Sequence, residues 1–360
     1  MTAQENKSSK EKMKALVVYK PLDLKLEEVD IPKIKDDEVL VRVESVGICG
    51  SDIEIKNGTY PDYVAYPIIP GHELAGVVEE VGSSVVGFKE GDRVVIEPHA
   101  GCGVCRNCKR GYYSYCLNYG KPGHRTIGFT VNGGYAEYVA APARNLHKLP
   151  PSMSFEEGSV AVAAGTPMFG ILEIGVEPGD FVVIIGPGPI GLTALEIVKA
   201  MGADKVIMIG TRWPRLKLAQ ELGADVLINV NEDKDPVKTV LETTDGIGAD
   251  LVIDTTPSAE TFQQGIKMLR RGGRYLILGL SWKPTSIILG EVSVKGITIK
   301  GTRGEAQNAV ENVLRLAASG KLNLKKLITH TFSLDEVIQA FEAFEKRIGD
   351  PLKVIVKPHS

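Results

Sequence analysis

Apolar residues between Met13 and about Leu149 come in short runs with a period of two. Val39, Val41 and Val43 alternate with Leu40 and Arg42, and "AGVVEEVG" and "DRVVIEP" follow, with Gly and Pro between the runs. That period places alternate side chains on one face and predicts short strands gathered into a barrel-like β-domain. From Gly179 the pattern changes. Continuous apolar runs ("FVVII", "VIMI", "VLIN", "LVID", "YLIL", "ITIK") alternate with segments whose apolar residues recur at helical spacing, such as Leu192, Leu195, Val198 and Met201, or Leu216, Ala219 and Leu222. Strands apolar on both faces, separated by helices, predict a six-stranded, doubly wound parallel sheet. After Lys300 two further helical segments, "NAVENVLRLAASG" and "DEVIQAFEAFEKR", precede a last β-run, "KVIVKP". The reading is an α/β protein. Residues 13–157 and 301–360 are expected to form the β-domain, residues 158–300 the doubly wound domain, and residues 1–12, which hold almost no apolar side chain, a disordered tail.

Length and charge narrow the classes. A chain of 360 residues buries enough apolar surface to need no disulfide scaffold. With 42 basic and 45 acidic side chains and a net charge of -3, it has no global field to attract nucleic acid or an anionic membrane. Its charged start, "MTAQENKSSKEKMK", has no apolar leader run, and its uncharged stretches are interrupted by Gly and Pro. The expectation is a cytoplasmic protein with a small-molecule partner, no nucleic acid and no membrane.

Four of the five cysteines lie in "GCGVCRNCKRGYYSYC" as Cys102, Cys105, Cys108 and Cys116. Thiolates at C-x2-C-x2-C-x7-C wrap one tetrahedral ion, and the fourth sulfur leaves no open position, which points to a structural zinc. An iron–sulfur cluster is the alternative, but its common run places the fourth cysteine after three residues and before Pro, whereas Leu117 follows Cys116 here. Unmetallated thiols are the other alternative. The fifth cysteine stands in "GICGSD", with Cys49, Ser51 and Asp52, and "PGHELAG" brings His72 and Glu73. Thiolate, imidazole and carboxylate are all zinc ligands, and three protein ligands with an open fourth place mark a catalytic site. Singly, each has a plain reading: a buried small hydrophobe, a loop histidine and a solvated carboxylate.

In "FVVIIGPGPIGLTALEIVKAMGA" a strand runs into Gly186-x-Gly188-x-x-Gly191 and then into a helix, with Pro189 and Ile190 inside the turn. Glycines leaving a strand and opening a helix are the arrangement that binds a dinucleotide pyrophosphate at a helix N-terminus. NAD-selective sites place Asp or Glu about 20 residues further on, against the ribose hydroxyls. "VIMIGTRWPRLK" has Gly210 there, followed by Thr211, Arg212 and Arg215, a hydroxyl and two guanidiniums suited to a 2'-phosphate. NADP is therefore expected over NAD.

Together, "VGICGSD", "PGHELAGVVEEVG", "GDRVV", the cysteine cluster, "GGYAEYV", "GPGPIG" and "LRRGGRYLILG" resemble the zinc-dependent medium-chain alcohol and polyol dehydrogenases, from about Met13 to Pro358. The resemblance implies a GroES-like β-domain carrying two zinc ions and a Rossmann domain carrying the nucleotide. It assigns Cys49, His72 and Glu73 to a catalytic zinc and the four clustered cysteines to a structural one. It gives Ser51 the hydroxyl that passes the alcohol proton outward, and Asp52 the carboxylate that orients the histidine. It also places Arg303 near the cofactor and makes the protein a homodimer or homotetramer. The implied reaction is reversible hydride transfer between a small secondary alcohol, polyol or sugar and NADP, akin to the sorbitol and threonine dehydrogenase branches. Two positions depart from the pattern. Val162 stands where relatives carry a further ligand, leaving that place to water, substrate, Glu156 or Glu157. Glu54 stands where many alcohol dehydrogenases end the proton relay with histidine. The competing readings are a zinc-independent NADPH quinone or enone reductase of the same superfamily and a non-enzymatic structural member.

Overall fold

The computed structural model describes residues 11–60, 63–256 and 258–359. Most of the expected tail lies outside this range, but its last two residues are ordered. Glu11 accepts a backbone bond from Ile31, and Lys12 opens a strand, because the hairpin of Lys12–Lys20 and Asp23–Asp30 needs them for its final pairing.

The chain divides into two units, one running up to Ser159 and resuming at Ile328, the other spanning Val160–Leu327. In the first, a seven-stranded sheet follows the order Ile328–Ser333, Lys353–Lys357, Glu38–Gly47, Glu73–Val81, Arg93–Ile96 and Leu146–Lys148, with Tyr138–Pro142 also pairing on Glu38–Gly47. Its pairs are antiparallel except Ile328–Ser333 with Lys353–Lys357. Val39, Val41, Val43, Val46, Leu74, Val94, Ile96, Val354 and Val356 fill a common core, as their period-two spacing requires. In the second unit, all six apolar runs form one parallel sheet. The order is Val226–Asn229, Lys205–Gly210, Phe181–Ile185, Ala249–Asp254, Leu269–Ile277, Thr298–Gly301. Every residue of Val182–Ile185 and Val206–Gly210 is buried, the consequence of helices on both faces.

The expected return to the β-domain at residue 301 is corrected to Ile328. The helix Ala309–Ala318 buries Ala309, Val310, Val313 and Leu314, and Val310 lies against Gly165 of the same unit. Beyond it, the Asn323 amide donates to Glu196 Oε1 at 2.6 Å. The second helical segment, Val337–Glu345, belongs with the first unit, where Val337, Ala340 and Phe341 join its core.

Glu196 makes this tether pH-dependent. It is buried, and its Oε2 has no partner among the described residues. Burial, partly offset by the Asn323 bond and the Lys326 charge, pushes its pKa from 4.5 up to about 7. A raised carboxyl favours the protonated folded state. Its contribution is thus complete below about pH 4.5 and is lost as pH rises through about 7, a swing of roughly 3 kcal/mol. Glu196→Gln keeps an acceptor for Asn323 and carries no charge. Urea unfolding should find it stabilised relative to wild type at pH 8 and close to wild type at pH 5; a difference independent of pH would contradict this.

Candidate active site and metal centres

The register of one strand pair assembles the first candidate site. Gly47, the last residue of its strand, lies opposite Glu73, the first residue of the next. Cys49 follows two residues beyond Gly47 and His72 precedes Glu73, so antiparallel pairing brings all three to one end of the sheet. A ligand atom from each of Cys49, His72 and Glu73 lies within 4.8 Å of the others, and His72 and Glu73 are buried. A Cβ at position 47 would lie 2.5 Å from Glu73 Oε2, so a side chain there would displace that carboxylate.

Cys49 caps the helix Gly50–Asn57, and its own amide donates to Asp52 Oδ2 at 2.9 Å. Asp52 is completely buried, and its Oδ1 faces His72 Nδ1 at 3.2 Å, within ion-pair distance but not well aligned for a hydrogen bond. Ser51 Oγ lies 3.3 Å from the other ring nitrogen, Nε2. Phe129 lies against the imidazole, with ring centroids 5.0 Å apart. Burial opposes charging of the ring, yet the nearby Asp52 carboxylate, followed by Cys49, outweighs it and raises the His72 pKa well above its ordinary value. The buried Asp52 carboxylate beside the imidazole suits a ring that carries or binds positive charge. Sulfur, nitrogen and oxygen donors converging, with no fourth protein ligand among the described residues, fit a catalytic zinc.

Two neighbours of this site are absent from the motifs' expected roles. Lys353, in the last strand, donates to Glu73 Oε2, and both residues are buried. Tyr135 is completely buried and donates to Asp52 Oδ2 at 2.8 Å. Burial and then the Asp52 charge push its phenol pKa well above the ordinary value, so it stays a donor. The groups considered for a further ligand are not brought into the cluster. Glu156 pairs with Lys357 at 2.8 Å, Glu157 accepts from the Ser154 amide, and Val162 is a buried residue of the helix Phe155–Ile174. The Glu54 carboxylate takes a hydrogen bond from the Thr59 hydroxyl.

The other four cysteines form a second cluster. A sulfur from each of Cys102, Cys105, Cys108 and Cys116 lies within 4.8 Å of the rest, and all are unpaired thiols. Cys102 and Cys108 sulfurs are 4.0 Å apart, too far for a disulfide. Amides point inward: Cys105 N to Cys102 Sγ, Cys108 N to Cys105 Sγ and Asn118 N to Cys116 Sγ, each at 3.4 Å. Burial works against ionising Cys102, but such backbone bonds bring its pKa down to about 6, while burial pushes Cys116 up to about 12. Four sulfurs so disposed ionise together only around a cation, which fits a closed, structural zinc. At Gly101 (φ +58°) a Cβ would meet Cys108 Sγ at 2.6 Å, so glycine makes room for the sulfur.

The glycine turn follows strand Phe181–Ile185 and opens the helix Pro189–Ala200, with Pro189 in its first turn and Ile190 next to it. Gly186 has φ +102°, and a Cβ there would lie 2.6 Å from Thr255 Oγ1; one on Gly191 would lie 2.0 Å from the Gly186 carbonyl. Packing therefore demands both glycines. Gly188 differs: nothing lies within 4 Å of its Cβ position, so its missing side chain leaves the helix end open to a ligand, which fits a pyrophosphate. A cleft of about 350 Å3 borders Gly186, Gly210, Thr211, Lys234 and Thr256. A Cβ on Gly210 would lie 2.6 Å from the Pro187 ring, so no acidic side chain fits there without a shift. Thr211 is exposed beyond the strand, and half-buried Arg212 and Arg215 start the helix Trp213–Glu221. Arg303 follows the edge strand Thr298–Gly301, which two strands separate from Phe181–Ile185.

Comparison with known proteins agrees with these features. The family model of the alcohol dehydrogenase GroES-like domain matches residues 35–151, and that of zinc-binding dehydrogenase matches residues 189–319. An L-threonine 3-dehydrogenase of Bacillus subtilis is 37% identical over 92% of this chain and 94% of its own, and a sorbitol dehydrogenase of Macaca fascicularis is 35% identical over 97% of each. Among solved structures, an alcohol dehydrogenase from Thermus sp. ATN1 (34% identity, TM-score 0.84) covers 96% of this chain and 99% of its own. A zinc-binding dehydrogenase from Sinorhizobium meliloti bound to NADP (28% identity, TM-score 0.89) covers the same shares. With such identity over nearly its whole length, the chain belongs to the zinc-dependent medium-chain alcohol and polyol dehydrogenase family.

Proposed function

We propose that this dehydrogenase interconverts a small secondary alcohol, polyol or sugar and its carbonyl with NADP(H), using a catalytic zinc held by Cys49, His72 and Glu73 and a structural zinc held by Cys102, Cys105, Cys108 and Cys116. The observation that carries this reading is the convergence of three unlike donors within 4.8 Å at one strand-pair end. A zinc-independent reductase or a structural protein has no use for that convergence.

When bound, the ion supplies Lewis-acid polarisation of the substrate oxygen, and the nicotinamide accepts or returns a hydride. The chain's own residues do the rest. Asp52 holds the imidazole through Nδ1 and leaves Nε2 for the ion. Ser51, with its hydroxyl 3.3 Å from that nitrogen, is the group at hand to take the alcohol proton and pass it outward. Glu54 and Thr59, already hydrogen-bonded, offer a carboxylate as the next acceptor. The Glu73 carboxylate, one oxygen of which is held by Lys353, gives the site less sulfur character than a two-cysteine site. That donor set supports the threonine and polyol dehydrogenase branches.

For the cofactor, Gly186, Gly188 and Gly191 shape the pyrophosphate turn, with Pro189 and Ile190 at the helix start, and Arg303 serves further along the sheet. Thr211, Arg212 and Arg215 face the adenosine ribose, and the contact between Gly210 and Pro187 supports NADP by leaving no room for a repelling carboxylate. Arg212→Asp should lower kcat/KM for NADP about 10- to 100-fold, as expected for a lost guanidinium–phosphate pair, and spare NAD. Equal efficiency of the wild type with both nucleotides would overturn the preference.

As part of the same reading the protein works in the cytoplasm as a homodimer or homotetramer. Five unpaired cysteines suit a reducing compartment, and no helix among the described residues is long and apolar enough to cross a membrane. The assembly rests on the family resemblance. The test of the whole is an NADP-linked screen of polyols, sugars, amino-alcohols and simple secondary alcohols, repeated after metal removal. Turnover that survives complete zinc removal would sink it.

A further inference from the structure

We infer that Tyr135 is a positioning residue of the Cys49–His72–Glu73 site: its hydroxyl fixes Asp52, and through Asp52 it fixes the His72 ring for metal binding. The inference rests on the proposed catalytic zinc site.

The geometry is a chain of contacts one atom wide. Asp52 is completely buried and has two oxygens with separate duties. Oδ1 faces His72 Nδ1 at 3.2 Å. Oδ2 accepts two bonds, from the Cys49 amide at 2.9 Å and the Tyr135 hydroxyl at 2.8 Å. The amide bond ties the carboxylate to its own helix turn and leaves rotation about that bond open. Tyr135 supplies the second point of fixation, from a segment 83 residues away.

The phenol can serve as a fixed point because its ring is packed on several sides. It is completely buried and meets Phe341 edge-on at 5.2 Å. It also packs beneath the turn that delivers His72. Gly71 has φ +93°, and even a Cβ there would lie only 3.0 Å from the Tyr135 ring. The Tyr135 amide donates to the Pro70 carbonyl, and the Gly134 amide to the Gly71 carbonyl, so the histidine's backbone and the carboxylate that orients its ring share one anchor. A phenylalanine would fill the same space and keep these backbone bonds. What requires tyrosine is the hydroxyl, whose short bond goes to Asp52 at 2.8 Å and whose longer contact reaches the Gly47 carbonyl at 3.3 Å. Groups that fix a metal-bound histidine commonly change metal affinity 10- to 100-fold when lost.

The test is a double-mutant cycle on the full-length protein, with zinc as the probe and a colorimetric chelator as competitor. Wild type should bind two ions per chain, one for each cluster. Tyr135→Phe should weaken one of them about 10-fold and leave the ion of the four-cysteine cluster unchanged. Asp52→Asn should weaken the same ion, and adding Tyr135→Phe to it should cost nothing further. Wild type binding only the four-cysteine ion would remove the catalytic-site reading itself. Two ions in wild type, with Tyr135→Phe either neutral or equally costly with and without the Asp52 carboxylate, would overturn the role given to Tyr135 alone. Should Asp52→Asn not fold, the ring 15N resonances of zinc-loaded Tyr135→Phe decide instead: a shift at His72 supports the inference, and unmoved His72 signals overturn it.

Discussion

Replacing His72 or Cys49 by Ala is expected to lower kcat/KM for alcohol oxidation by at least about 1,000-fold, or ~4 kcal/mol of transition-state stabilisation, while the chain stays folded. The size follows from what is removed. Two of three donors cannot hold a divalent ion against water, and a secondary alcohol unaided by a Lewis acid keeps its proton at neutral pH. The fold should survive because neither side chain belongs to the apolar core that holds the seven-stranded sheet together. His72→Ala leaves Asp52 supported by Tyr135 and the Cys49 amide, and Cys49→Ala keeps that amide. Steady-state kinetics with circular dichroism on each variant checks both halves. A folded double variant with wild-type turnover would overturn the mechanism.

The second large effect is on stability. Lys353→Met should cost about 3–5 kcal/mol, because it leaves the Glu73 carboxylate buried without its counter-charge. The Lys353–Glu73 pair is not thereby a source of net stability. Desolvating both ions opposes their attraction, so the variant Lys353→Met with Glu73→Gln should recover most of the loss. Zinc adds a further distinction, since an ion on Glu73 supplies positive charge that the missing ammonium no longer gives. Saturating zinc should therefore narrow the loss in Lys353→Met. Urea unfolding of the metal-free and zinc-loaded proteins measures both, and a loss below about 1 kcal/mol in the metal-free single variant would show that Glu73 finds another partner.

Most of the fold was legible because buried parallel strands announce themselves. A run such as "VIMI" has no polar face to offer water, and it became the strand Lys205–Gly210. The cysteine and histidine motifs were legible for a related reason: their ligands are close in sequence or flank one strand pair, as Gly47 and Glu73 do. What escaped was long-range or chemically disguised. Lys353 sits in an apolar β-run where a lysine reads as exposed, and its partner is 280 residues away. Tyr135 was visible within "GGYAEYV", but nothing in that segment says that its hydroxyl meets Asp52. The chain's return at Ile328 was hidden because the helix Ala309–Ala318 is amphipathic, and amphipathicity does not say which core receives its apolar face.

The most direct measurement of the central claim is zinc analysis coupled to an NADP-linked alcohol assay on one preparation, before and after selective removal of the weaker ion. The account predicts two zinc ions per chain, loss of turnover with the first ion removed, and its return when zinc alone is added back. Full turnover in a chain that retains only the four-cysteine ion would contradict it.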